Sequence, residues 1–91
     1  MQPYITVNCH CHDYLELACM RGYQLKIELH NKAPLTAQAV TLVTKADKTE
    51  WLIVKQVVKQ NNSLNEIRLD QIIAITPIDT AADFKRITIA P

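Results

Sequence analysis

The hydrophobic and polar positions of this chain change period as it runs, and each change marks an element. Leu15, Ala18, Cys19 and Gly22 stand at i, i+3, i+4 and i+7, which places them on one face of a helix. Asp13 is a favoured N-cap residue and Glu16 follows at capping-box spacing, so both carboxylates are expected against backbone N–H groups. Arg21 suits the helix C-terminus, and Gly22 suits the left-handed position just past it. The expected helix covers residues 13–21, with a short strand before it at 4–7.

From Tyr23 the period becomes two. Tyr23, Leu25, Ile27 and Leu29 alternate with Gln24, Lys26, Glu28 and His30, the pattern of a half-buried strand. The segment HNKAP (30–34) is a turn by composition. Leu35, Ala37 and Ala39 resume the alternation, which then shifts after Val40 to Leu42, as a β-bulge would shift it. TKADKTE (44–50) is a polar loop, and WLIVKQVV (51–58) reads as a central strand. A hairpin turn is expected at 59–63, and a return strand at 64–69 with Ile67 and Leu69 facing inward. Further strands are expected at 70–78 and 84–90, on either side of a loop at 79–83. One helix followed by five to seven mostly antiparallel strands with short connections predicts a mainly β fold. A curved meander closing as a small open barrel, with the helix over one end, is its natural form.

The composition narrows the function. Ninety-one residues make one domain, at 1–91. A single glycine excludes a glycine-rich phosphate loop. Ten lysines and arginines against nine acids give a net charge of +1, which argues against a generic nucleic-acid binder and against a polybasic membrane anchor. No apolar run is long enough to span a bilayer, and MQPYITV has no charged, then apolar, leader pattern. A cytoplasmic protein is expected.

The segment VNCHCHDYLELAC (7–19) holds all three cysteines and two of the three histidines. Zinc sites draw four ligands to a tetrahedron, commonly two from each of two separated loops. Here five candidates crowd into eleven residues, and His30 is the one candidate outside them. No metal site is expected. Cys9 and Cys19 are expected as small core residues, with His10 and His12 solvated. Cys9-His10-Cys11 lacks the C-x-x-C spacing of a redox pair. Cysteine beside histidine, without a loop to stabilise an oxyanion, does not make a nucleophilic site. Neither an enzyme nor a cofactor is expected.

NC at Asn8–Cys9, LELAC at 15–19, IEL at 27–29 and EIRLDQI at 66–72 come in an order that resembles the Rof (YaeO) family, inhibitors of the transcription terminator Rho. The likeness spans about residues 4–77. It implies an Sm-like open barrel with an N-terminal helix, and a protein that binds the N-terminal RNA-binding region of Rho and blocks RNA loading. The resemblance carries over to Asn8, Asp13 and Glu16 on or beside the helix as partner-binding residues, and Tyr14 beside them is the expected packing anchor, as tyrosine is at hot spots. The 44–50 loop matches the family in place but poorly in residues, and its Lys45, Asp47 and Lys48 are also expected at the partner-binding surface. Two departures stand out: relatives place acids where this chain has His10, Cys11 and His12, and relatives are typically acidic overall. A monomer without direct nucleic-acid contact is expected. The alternatives are an Sm-like RNA-binding module, with Lys55, Lys59 and Arg68 as a weak basic stripe, and a zinc-dependent interaction domain.

Overall fold

The structure is a computed structural model, and it describes residues 7–58 and 61–90. It has one helix, α1 (Cys9–Arg21), followed by six strands. These are β1 (Gln24–Leu29), β2 (Leu35–Thr44), β3 (Glu50–Val58), β4 (Asn61–Arg68), β5 (Ile72–Pro77) and β6 (Ile87–Thr88), with a 3-10 turn at Leu69–Gln71. They form one antiparallel sheet in the order β4-β3-β2-β1-β5-β6. This agrees with the mainly β architecture expected, with one change in connectivity. The first four strands are a meander, but β5 returns to pair with β1, not β4.

That return requires curvature. Three strands lie between β4 and β5 in the sheet. In a flat sheet the two would be about 19 Å apart. The chain between Arg68 and Ile72 reaches at most about 14 Å even when extended, and here it is wound as a 3-10 turn. The sheet must therefore curl until β4 approaches β5. Register irregularities at Ala39/Thr41 in β2 and at Glu28/Leu29 in β1 help it bend. The first is the shift read from Val40 and Leu42.

Alternation puts Leu25 and Ile27 of β1, Ala37 and Ala39 of β2, and Leu52 and Val54 of β3 inside the curl. Ile67, Leu69, Ile72 and Ile75 complete it, and α1 closes one end with Leu15 and Ala18. Leu69 is inward as expected, but it belongs to the 3-10 turn and not to the strand. Gly22 ends α1 with φ 62°, and its N–H bonds back to the carbonyls of Ala18 and Cys19. A Cβ there would come within 3.0 Å of the Gln38 carboxamide, the movable end of a flexible side chain, so it is the left-handed conformation that requires glycine.

Four expectations are corrected. The helix starts four residues early, at Cys9, and its N-cap is Asn8, whose side chain accepts from His10 N–H at 2.8 Å. Asp13 lies inside the helix on its exposed face and caps nothing. Val7 is not in a strand, and the rest of the expected 4–7 strand lies outside the described residues, as do residues 59–60 of the turn expected at 59–63, whose residues 61–63 belong to β4. The last strand shrinks to two residues, and much of 84–90 is held by single contacts instead. Arg86 forks onto Glu28 at 2.9 and 3.3 Å, which holds the Glu28 carboxyl below its usual range. Fourth, Cys9 is exposed, not a core residue.

The cap correction predicts a contrast in stability. Asn8→Ala should cost about 0.5–2 kcal/mol, the usual loss for a removed N-cap. Asp13→Ala should stay within about 0.5 kcal/mol, as surface changes do. Urea midpoints of the two variants check this, and the reverse order would restore Asp13 as the cap.

Candidate functional site

Helix α1 is built so that one face serves the core and the other stays outside. Asn8 satisfies the first turn, and Cys9, His10, Cys11 and His12 follow with no acid among them. Leu15 and Ala18 point inward, while Asp13 and Glu16 are exposed. Tyr14 lies between: it is 37% exposed, and its ring rests on Phe84 at 5.1 Å. Phe84 in turn meets Tyr23 edge-on at 5.9 Å, so Tyr14 presents a rim, not a free ring. Arg21 pairs with Asp83 at 3.4 Å and ties the helix end to the same 79–84 segment.

His12 was expected to be solvated, but it joins two elements. Its Nδ1 faces Glu16 one turn along at 3.4 Å, and its Nε2 contacts the Glu50 carboxylate at the start of β3. The two carboxylates sit on opposite sides of the ring, so the three side chains form a tether and not a chelating set. Among the described residues no group of three or more histidine, cysteine or acidic side chains is placed to hold a metal.

The three cysteines are free and differ in setting. Cys9 is exposed, and Cys11 donates from Sγ to the Thr88 carbonyl at 3.2 Å. Cys19 is half-buried, and burial, helped by the charge of Glu16, pushes its thiol up to about 11. The thiolate is the reactive form. At pH 8 alkylation should mark the exposed Cys9 first and the half-buried Cys19 last. A mass-spectrometric time course reads the order, and equal rates would contradict the environments described here.

The β2–β3 loop precedes Glu50, whose contact with His12 ties the start of β3 to the helix. The loop is a tight turn. Lys48 N–H bonds to the Lys45 carbonyl and Lys45 N–H to the Thr49 carbonyl, both at 2.9 Å, with Lys48 at φ 68°. Asp47 accepts from both the backbone N–H and the hydroxyl of Thr49, at 3.1 and 2.6 Å. Those bonds hold its carboxyl below the usual range, the hydroxyl contributing most. Lys45 reaches over the Trp51 ring at 4.0 Å and pairs with Glu66 at 2.7 Å. Lys45 and Asp47 therefore have structural duties, while Lys48 is exposed at the tip.

The structure thus places Asp13, Tyr14 and Glu16 on α1 with Asn8 as its N-cap, and the His12–Glu50 contact ties the strand that follows the Lys45, Asp47 and Lys48 loop to the helix. His12 and Glu50 were missed from sequence. The local signal available was the i, i+4 spacing of His12 and Glu16; the contact to Glu50 spans 38 residues.

Comparison with known proteins reaches the same region of sequence space. The family model described as "Modulator of Rho-dependent transcription termination (ROF)" matches residues 6–89. The chain is 36% identical over 69 residues to Protein rof of Escherichia coli (strain K12), which is 76% of each chain. Protein rof of Shigella flexneri matches to the same extent. A solved structure titled YaeO bound to magnesium, from Vibrio cholerae O395, shares the fold with a TM-score of 0.67, at 20% identity over 84% of this chain and 94% of that one. With the family model covering nearly the whole chain, this protein belongs to the Rof family of modulators of Rho-dependent transcription termination.

Proposed function

We propose that this protein binds the N-terminal RNA-binding region of Rho as a monomer in the cytoplasm, occludes the surface where RNA loads, and so suppresses termination. It acts by occupancy, without catalysing a reaction. The observation that carries the reading is the outer face of α1, where Asp13 and Glu16 are exposed on a helix whose other face is fixed in the core. A surface that binds RNA is basic, and paired carboxylates on a rigid helix complement it. The rim of Tyr14 adds apolar contact beside them.

The reading predicts competition. A labelled single-stranded RNA bound to the isolated N-terminal region of Rho should be displaced by this protein. The concentration needed should rise with salt, because exposed charge pairs are screened over about 8 Å at physiological ionic strength. Simultaneous binding of RNA and protein would overturn occlusion.

A further inference from the structure

The curled sheet does not close completely, and the gap where it fails is a cleft. One side is the edge strand β4, and the other is the end of β1, the β1–β2 turn and the 3-10 turn. The space measures about 490 Å³, within the range of small-ligand sites. Its apolar lining comes from Leu29, Leu35 and Ile67, together with the indole of Trp51. Its polar lining holds three carboxamides, Gln56, Asn65 and Gln71, beside the ionisable His30, Lys32, Glu66 and Arg68. Asn65 donates to Gln56 at 3.0 Å across the β3–β4 pair, so the two amides are held side by side. His30 is anchored, its Nε2 bonding to the Ala90 carbonyl at 2.7 Å.

Charge at the cleft is largely matched within the protein. Arg68 forks onto Asp70 with two contacts of 2.7 Å, and Glu66 is paired with Lys45. Lys32, exposed on the β1–β2 turn at the mouth, adds a positive charge that these pairs do not involve. The cleft therefore offers the Trp51 indole, one face of which lies under Lys45, amides that can both donate and accept, and a cation at the rim. Amides read the donor and acceptor edges of unpaired bases, aromatic rings stack on their faces, and lysine meets phosphate. A purely apolar ligand would leave the amides without a role.

We propose that this cleft binds a nucleotide, with the base inside against Trp51 and the carboxamides and the phosphate at Lys32. This departs from the expectation of no direct nucleic-acid contact, and no residue of the helix proposed to meet Rho lines the cleft. The nucleotide is either a free monophosphate or one unit of a single strand.

Trp51 is the single tryptophan of the chain, so its fluorescence reports on the cleft and on Lys45 and Thr49 of the loop that holds the ring. The test titrates the full chain, without Rho, with uridine and adenosine monophosphates, with a short single-stranded oligonucleotide, and with inorganic phosphate. A saturable change with a nucleotide is expected, and Lys32→Glu should weaken it about tenfold, as loss of a charged hydrogen bond does. Response to the monophosphates assigns the free form, and response to the oligonucleotide alone assigns a unit of a strand. No change at millimolar nucleotide would overturn the proposal. So would an equal response to inorganic phosphate, or unaltered affinity in Lys32→Glu with the fold intact by circular dichroism.

Discussion

Replacing Asp70 by alanine is expected to destabilise the fold by about 3–5 kcal/mol, the usual cost of removing one partner from a buried ion pair. Arg68 and Asp70 are among the few charged residues inside, each 8% exposed. Their bidentate contact, Nε to Oδ1 and Nη2 to Oδ2 at 2.7 Å each, spans the junction of β4 and the 3-10 turn. The chain there must leave one edge of the curl and enter the other, so the pair fixes the corner on which closure depends. Without the carboxylate, the guanidinium loses its two charge-assisted bonds in a place poorly supplied with water. A domain of this size commonly has about 5–15 kcal/mol in total, so the variant should unfold at much lower denaturant. Urea unfolding checks this, and a loss below about 1 kcal/mol would contradict it. The double variant Arg68→Leu, Asp70→Ala should recover part of the loss, because replacing both charges removes the unmatched one.

The second large effect is expected in binding. Glu16→Lys reverses charge on the exposed face of α1, where no core contact depends on it. It should lower affinity for Rho about tenfold or more through weaker attraction to a basic surface. Glu16 also faces His12 Nδ1, so its loss relaxes one side of the tether, but Glu50 retains the other. Asp13→Lys, one position from His12, tests the same face without touching the tether. Both variants should keep the far-ultraviolet circular dichroism of the parent chain.

Local features were legible before the structure. Gly22 marked the helix end because only a left-handed residue fits there, and the bulge after Val40 followed from a slip in the apolar alternation. The helix start was misread because Asn8 and Asp13 are both good caps. The choice fell to Asn8, whose carboxamide reaches His10 N–H and adds a full turn made of cysteines and histidines, residues with only moderate helix propensity. The return of β5 to β1 was not legible, since a three-residue connection suits a neighbour in a meander as well as a partner across a curl. The burial of Arg68 and Asp70 was hidden for the same reason: Arg-Leu-Asp at a strand end reads as surface until the corner folds over it. At the candidate site, the exposed acids of α1 were legible by type. The His12–Glu50 contact was not, because nothing local links residues 38 places apart.

The His12 ring holds α1 against β3 and orients Glu16 beside it. The two exposed acids of α1, Asp13 and Glu16, carry the proposed contact, and reversing either leaves the core untouched.

The measurement that bears most directly on this account is Rho-dependent termination on a defined template, reconstituted with purified Rho and with parent or Glu16→Lys protein. The account predicts that the parent protein restores read-through, and that Glu16→Lys requires about ten times more protein or fails to do so. Full read-through by Glu16→Lys at the parent's concentration, with its fold intact, would contradict the assignment of the α1 face to Rho.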